Sequence, residues 1–145
     1  MPPSPHHHSM TDPVTRREQL HAIARAYVTE GLGKKNFDAI PYDDNVTLCA
    51  PLCPGGMDVP LTGKENLRTV WWAPLPQLIG NVKVLDTYVN DDLTAVACEF
   101  TLEIAPLATT LHILDRFMIN NNGNITAQSN YFDPRNVTTP GWQKA

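Results

Sequence analysis

The chain has 145 residues, of which 42% are apolar and 18% are charged, as in an ordinary globular protein rather than a disordered one. Its formal charge of −4 argues against a nucleic-acid partner, because phosphate backbones are bound by clustered Lys and Arg. No apolar run approaches the roughly 20 residues of a membrane span, and the start lacks a secretory signal. We therefore expect a cytoplasmic protein with neither a nucleic-acid nor a membrane partner.

The length fits a single domain. We expect residues 1–12, which begin with MPPSPHHHSM, to be a disordered leader or a tag, and residues 13–145 to form one domain. The three cysteines show no CxxC pattern, so neither a disulfide framework nor a structural zinc site is predicted. Phosphate-binding, metalloprotease and serine-hydrolase motifs are also absent from the sequence, and we expect no metal and no cofactor.

Two helices are predicted before the first strand. Asp12 can cap the first helix, and apolar residues at helical spacing extend it from residue 14 to about residue 32. Gly31 and Gly33 are expected to stop this helix. A short second helix is predicted over residues 36–40, because the proline that follows disfavours helical backbone in the residue before it.

Strands dominate the rest of the chain. A first strand is predicted at residues 43–49, followed by a loop rich in Pro and Gly and by a third helix that opens at Thr62 and is broken at Pro74. Four further strands, joined by short turns, are predicted at residues 82–89, 93–104, 109–119 and 125–132. Helices and strands are thus largely segregated along the chain. This segregation predicts an α+β fold, with three helices packed on one face of a curved, mostly antiparallel sheet.

The strand predicted at residues 109–119 carries the most informative residue. Alternation places Ile113 and Phe117 on one apolar face, and Asp115 lies between them. A carboxylate there must be paired, protonated or exposed to a cavity. Two interpretations stay open. In the first, Asp115 forms a structural salt bridge, for instance to Arg25 or Arg68, or is turned outward by a shift of register. Alternatively it is a pocket acid with a raised pKa.

Other polar side chains could join such a pocket. Tyr27 lies on the apolar stripe of the first helix, either as a core residue or as a second donor beside Asp115 that could hold a developing oxyanion. Regular alternation along the last strand turns Ala127 inward. One extra residue at the glycine turn would instead turn Gln128 and Asn130 inward.

Aromatic and charged residues elsewhere have less specific interpretations. Trp71 and Trp72 are adjacent on a helix and cannot both point the same way. Either one packs in the core and the other rims a cavity, or both are packing aromatics. Glu99 and His112 alternate with apolar neighbours and should face away from the apolar side of the sheet. We interpret both as surface or dimer-interface residues.

The layout resembles the nuclear transport factor 2-like superfamily, especially its SnoaL-like and ketosteroid isomerase-like members. The features that carry the resemblance are the helix with Tyr27, the Tyr42–Val46 entry to the first strand, the Leu61–Glu65 start of the third helix and the hairpin from Asp115 to Asp133. The resemblance covers residues 14–132. It implies a mixed sheet that forms a cone-shaped pocket with the helices.

The resemblance also implies a site. In the ketosteroid isomerase pattern, an acid before the glycine hairpin and a tyrosine of the first helix form an oxyanion hole, and Asp115 and Tyr27 match these positions. The base of that family falls here on Cys49 or Ala50. Asp115 and Tyr27 are therefore the expected catalytic residues. The residues expected to bind substrate are Asn130, Gln128, Trp72, Phe100, Phe117 and Phe132.

The function that this resemblance implies is that of a SnoaL-like enzyme. It would carry out acid–base chemistry without a cofactor, such as cyclisation, isomerisation or dehydration, on a hydrophobic oxygenated small molecule. The alternative is a non-catalytic ligand-binding or dimerisation module of the same fold. A homodimer formed through the sheet face with Glu99 and His112 is expected in either case.

Overall fold

The computed structural model describes residues 12–138, so most of the predicted leader lies outside the described part. Helix α1 spans Pro13–Ala26 and continues with π-helical hydrogen bonding through Tyr27–Leu32. Helix α2 spans Lys64–Asn66 and continues in the same way through Leu67–Trp72. The strands are β1 Tyr42–Cys49, β2 Leu61–Thr62, β3 Ile79–Val89, β4 Ala95–Ile104, β5 Thr109–Ile119 and β6 Ile125–Tyr131.

The α+β prediction is confirmed, with two helices in place of three. The segment predicted as the second helix forms only a 3-10 turn at Phe37–Ala39, because five residues before a proline are too few to repay helix nucleation. Strand β2 was not predicted, since its two residues gain their strand character only by pairing with Thr47 and Leu48 of β1. Within residues 12–138, the helices are all too short or too polar to cross a membrane.

Both ends of α1 follow from local chemistry. Asp12 caps the start, and its Oδ1 accepts from the backbone N–H groups of Val14 at 3.0 Å and Thr15 at 3.1 Å. The helix ends at Leu32, as predicted. Gly31 stays inside it, where a Cβ atom would lie 2.7 Å from Cγ1 of Ile40. The glycine therefore allows the 3-10 turn to pack tightly against α1.

The sheet has the strand order β2-β1-β6-β5-β4-β3. All neighbouring strands are antiparallel except β1 and β6, which are parallel. The sheet is therefore mixed, and the first strand of the chain lies beside the last. This long-range pairing brings side chains of β1 next to those of β6 on the inner face.

A β-bulge near the start of β6 decides which of its residues face inward. Met118 pairs with Ala127 and Ile119 pairs with Ile125, so Thr126 is the extra residue. The turn before it uses Gly123 in the left-handed region, at φ 81°. Because of the bulge, Gln128 and Asn130 are buried. Of the two alternatives for this strand, the one with an extra residue after the turn is therefore the one observed.

Helix α1 packs across β3 and β4, and one of its side chains connects it to two hairpin turns. The guanidinium of Arg16 donates to the carbonyl oxygens of Leu93 at 3.1 Å, Ile119 at 2.9 Å and Asn120 at 3.2 Å. Arg16 thus binds the β3–β4 and β5–β6 turns to the first turn of α1. This fixes the helix over the sheet and places Tyr27, further along, above the centre of β5.

Candidate functional site

An apolar cavity of about 400 Å³ lies against the inner face of the sheet, and this volume is within the range of small-molecule sites, about 300–1,000 Å³. Its wall is built by both helices, the loop after β1, the strands β4 to β6 and the segment after β6. The polar groups in the wall include Tyr27, Asp115 and Asn130. Its apolar members include Leu32, Leu52, Trp71, Leu75, Leu78, Phe100, Leu102, Leu107, Leu111, Ile113 and Phe132.

Asp115 is a buried acid in this wall, with only 1% of its surface exposed. It faces inward from the middle of β5, between Cys98 of β4 and Asn130 of β6. The salt-bridge interpretation is wrong. Among residues 12–138, Arg68 pairs with Asp38 and Glu65 on the surface, and Arg25 donates to Thr87. The outward register is likewise excluded by the burial.

Burial controls the protonation of this acid. It raises the pKa of Asp115 well above its ordinary value, since a carboxylate loses its hydration there, and a hydrogen bond from Tyr27 opposes this rise only in part. Burial also raises the pKa of Tyr27 and of Tyr42, and the nearby Asp115 adds to both shifts. Burial in the cavity wall thus favours the neutral form of both the carboxylic acid and the phenol. Both groups can donate a proton to a ligand oxygen.

A buried network extends from these two groups to β1. The hydroxyl of Tyr42 donates to Oε1 of Gln128 at 2.7 Å. Nε2 of Gln128 donates to the hydroxyl oxygen of Tyr27 at 3.1 Å and to Oδ1 of Asn130 at 2.9 Å. The same atom of the Asn130 amide lies 3.0 Å from Oδ1 and 3.3 Å from Oδ2 of Asp115. Five side chains from four elements therefore form one connected set.

The structure separates the predicted substrate-binding residues into two groups. Phe100, Phe132 and Asn130 line the cavity beside the two predicted catalytic residues. Gln128, Phe117 and Trp72 are buried and are not among its lining residues. Gln128 lies behind Tyr27 and Asn130 as their hydrogen-bond partner, and the ring of Phe117 packs against Tyr27 with centroids 4.7 Å apart.

The two adjacent tryptophans divide as their helical spacing requires. Trp71 lines the cavity, whereas Trp72 packs in the core against Phe37, with ring centroids 5.5 Å apart. Of the two interpretations, the structure has one core ring and one cavity ring, and the cavity ring is Trp71 rather than the expected Trp72. The π-helical hydrogen bonding of this segment sets the direction of each ring, and the sequence pattern does not reveal it.

The end of β1, where the resemblance places a catalytic base, carries no acid. Ala50 lines the cavity at this point, and Cys53 follows in the same loop. Burial raises the pKa of the Cys53 thiol, so this thiol is not a ready base. Within the described residues, Asp115 is the one carboxyl group in the cavity wall, and no group of three or more His, Cys, Asp and Glu could hold a metal ion.

Tyr42 is the member of the network that sequence reasoning missed. Its predicted place was only the entry to the first strand. A usable signal was present, because Tyr42, Val46 and Leu48 lie four and two positions apart, as residues on one face of a strand do. The structure buries all three on the same face of β1. The charged residues between them concealed the alternation.

Comparison with known proteins identifies the fold. No protein-family model and no curated protein matches the chain. The chain is similar to a SnoaL-like protein of unknown function from Burkholderia thailandensis, with a TM-score of 0.66 and 16% identity over 81% of this chain and 96% of that one. It is also similar to a steroid delta-isomerase from Pseudomonas aeruginosa, with a TM-score of 0.60 and 16% identity over 79% and 82% of the two chains.

A third similar structure is an NTF2-like protein of unknown function from Cytophaga hutchinsonii, with a TM-score of 0.57 and 19% identity over 88% of this chain and 98% of that one. The fold is therefore that of the nuclear transport factor 2-like superfamily, as the sequence resemblance implied. At these identities the similarity establishes the fold alone, because this scaffold carries many activities.

Proposed function

We propose that the protein is a small-molecule enzyme in which Asp115 acts as a general acid without a cofactor. The observation that carries the proposal is the buried carboxyl of Asp115 in the wall of an apolar cavity, hydrogen-bonded by Tyr27. A carboxyl group whose pKa is raised by burial keeps its proton to a higher pH and can give it to a substrate oxygen, and a second donor then stabilises the charge that develops.

The cavity wall also suggests the class of substrate. Among residues 12–138, those that line the cavity include no Lys or Arg, so none of them would bind the carboxylate or phosphate of a charged ligand. Most of the wall is aliphatic or aromatic. The proposed substrate is therefore an uncharged, largely hydrocarbon molecule that presents a carbonyl, epoxide or hydroxyl oxygen to Asp115.

Three reactions are compatible with one acid that can also take a proton back. In a dehydration, Asp115 would protonate the leaving hydroxyl, and its carboxylate would then remove a proton from the neighbouring carbon. In an isomerisation of a β,γ-unsaturated ketone, Asp115 would protonate the carbonyl oxygen, and its carboxylate would take a proton from the α-carbon. The regenerated acid would then protonate the γ-carbon, and the proton on the oxygen would return to the carboxylate. In a cyclisation, it would protonate an epoxide oxygen while a hydroxyl of the same substrate attacks, and the proton lost by that hydroxyl would restore the acid.

The experiment uses one probe set for each reaction: β-hydroxy ketones, β,γ-unsaturated ketones and hydroxy-epoxides, each with a hydrocarbon skeleton that fits the cavity. Turnover by the wild-type protein is followed by mass spectrometry. We expect Asp115→Asn to lower kcat by about 10²- to 10⁴-fold on any probe that is turned over, which is the usual contribution of general acid–base catalysis. Full activity of this variant would contradict the proposed role.

A second candidate function is non-catalytic ligand binding. The observation that favours it is Ala50, which lines the cavity where the resemblance places a catalytic base. Mass spectrometry of small molecules that co-purify with the protein separates the two candidates. A binding module would carry an unaltered ligand and turn over none of the probes, whereas an enzyme would convert substrate to product.

A homodimer is a further part of the proposal. The sheet face opposite the cavity presents Leu114 and Tyr131, which pair across β5 and β6 and are 37% and 48% exposed. Beside them, Glu99 accepts hydrogen bonds from Tyr88 at 2.7 Å and pairs with His112 at 2.6 Å. Apolar side chains beside a satisfied polar cluster are what a dimer interface requires, so we propose this face as the contact between two copies.

A further inference from the structure

The amide of Asn130 lies between Asp115 and Gln128. An ionised Asp115 and the Gln128 amide favour opposite orientations of the Asn130 amide. The atom nearest Asp115 is also 2.9 Å from Nε2 of Gln128. If that atom is the amide oxygen, it accepts from Gln128 and can accept a second hydrogen bond from a protonated Asp115. If it is the amide nitrogen, it can donate to an ionised Asp115 but meets Nε2 of Gln128, which is also a donor. The orientation of Asn130 is therefore tied to the protonation state of Asp115.

The orientation of Gln128 is fixed in turn by Tyr42. Its Oε1 accepts from the Tyr42 hydroxyl, and its Nε2 donates to Tyr27 and Asn130, so all three neighbours are matched. If Gln128 reversed, the buried proton of Tyr42 would lose its acceptor. In addition, Oε1 would face the oxygen of Tyr27, whose single proton is used on Asp115. An unmatched polar group at full burial is costly, so reversal is disfavoured.

We propose that Tyr42 and Gln128 are positioning residues that hold the carbonyl oxygen of Asn130 towards Asp115 and thereby keep the proton on that acid. The chain of contacts runs from the Tyr42 hydroxyl through the Gln128 amide and the Asn130 oxygen to the Asp115 carboxyl. Neither Tyr42 nor Gln128 lines the cavity. Both act on the proton of Asp115 through Asn130, and they need not touch a ligand.

The same network also determines how the side chains can rearrange after Asp115 has given up its proton. Once Asp115 has lost its proton, Asn130 can turn its nitrogen towards the carboxylate only if Gln128 reverses with it and Tyr42 changes from donor to acceptor. The two amides and the phenol would then turn together. The network therefore sets how readily Asp115 releases its proton, which deepens the proposed function and rests on Asp115 as its acid.

The other titratable groups around Asp115 do not supply this control. Tyr27 of α1 donates to the carboxyl, and Cys98 of β4 is its cross-strand neighbour. Burial raises the pKa of Cys98 to about 12, so this thiol remains neutral. Among the described residues, no Lys, Arg or His forms an ion pair with Asp115. The amide of Asn130 is then the group whose reversal changes the preferred state of the acid.

Carboxyl ¹³C NMR titration of Asp115, assigned by its loss in Asp115→Asn, tests the proposal with no need for a substrate. We expect Tyr42→Phe to lower the pKa of Asp115 by at least about one unit, a tenfold weaker hold on the proton, because Gln128 no longer opposes reversal. Tyr27→Phe should move it in the opposite direction, since it removes a donor to the carboxylate. Water entry into a loosened core would lower the pKa in both variants.

Tyr88→Phe is the matched control, because Tyr88 donates to Glu99 on the opposite sheet face, and it should leave the titration of Asp115 unchanged. If Tyr42→Phe does not fold, Gln128→Leu gives the same test, since it also releases Asn130 and should lower the pKa. An unchanged or higher pKa in the folded variant would overturn the proposal. This outcome is separate from the turnover result, because the titration succeeds or fails whether or not a substrate is found.

Discussion

Asp115 is an acid whose surroundings favour its neutral form, and this preference must appear in the stability of the protein. The unfolded chain loses the proton of this carboxyl near pH 3.9, whereas burial lets the folded chain keep it to a higher pH. Between these two values, folding takes up a proton. The contribution of Asp115 to stability is therefore fully present below the unfolded pKa and is lost as the pH rises through the folded one.

The variant Asp115→Asn should remove this pH dependence. An asparagine can accept from Tyr27 and donate to the oxygen of Asn130, as the neutral acid does, but it does not ionise. We expect the variant and the wild type to be about equally stable near pH 4. Above pH 4, the free energy of unfolding of the variant should rise relative to that of the wild type by about 1.4 kcal/mol per pH unit, until the folded pKa of Asp115 is reached.

Urea unfolding at pH 4, 6 and 8 measures this difference. Asp58→Asn is the control, because Asp58 is exposed and its side chain makes no hydrogen bond or ion pair within residues 12–138. A difference between Asp115→Asn and wild type that does not change with pH would show that the carboxyl is not held neutral by the fold.

At the scale of the residue, the sequence predicted which face of the strand Asp115 lies on, but not whether its carboxyl is paired with an arginine or lies in a cavity wall. Alternation along β5 placed the carboxyl on the apolar face. It could not decide between a salt bridge and a cavity, because Arg25 and Arg68 are brought near to or kept from Asp115 only by tertiary packing. The place of Gln128 behind the site depends on the same packing.

At the scale of the elements, one helix residue orders two turns of the sheet. Arg16 donates to three backbone carbonyls in the β3–β4 and β5–β6 turns. Each hydrogen bond from a charged donor contributes roughly 1.5–3 kcal/mol, although such contributions do not simply add. We expect Arg16→Ala to lower the free energy of unfolding by about 2–4 kcal/mol, measured by chemical denaturation.

The neighbouring arginine is the control for this change. Arg17 is exposed and forms no hydrogen bond or ion pair with the part of the chain that the structure describes, so Arg17→Ala should change stability by no more than about 0.5 kcal/mol. Equal effects of the two substitutions would mean that helix propensity or net charge, rather than the contacts to the turns, accounts for the loss.

The elements also show where sequence patterns are sufficient. The bulge at Thr126 was foreseen as an alternative because a glycine turn precedes it, and it explains why the buried residues of β6 change from odd to even numbers. Strand β2 and the π-helical hydrogen bonding of Tyr27–Leu32 were not foreseen. Both depend on neighbours in space, and neither leaves a period in the sequence.

At the scale of the whole molecule, the sheet separates two surfaces of different composition. Its inner face carries the cavity and the hydrogen-bond network of Asp115, and its outer face carries Leu114 and Tyr131. Local patterns predicted both faces, because side chains alternate along each strand. The parallel pairing of β1 with β6 joins the two ends of the fold, and no local pattern predicts it.

The proposed dimer can be tested by a substitution on the outer face that leaves the inner face unchanged. A charge at the centre of the outer face would be buried without a partner in the dimer, so Leu114→Glu should convert a dimer into monomers in sedimentation velocity experiments at matched concentration. Val59→Glu is the control, because Val59 is also an exposed apolar residue but lies in the loop before β2. The monomeric variant should retain the raised pKa of Asp115, since that carboxyl faces the other side of the sheet. A wild-type monomer would contradict the proposed dimer, and a dimer that survives Leu114→Glu would place the contact between copies elsewhere.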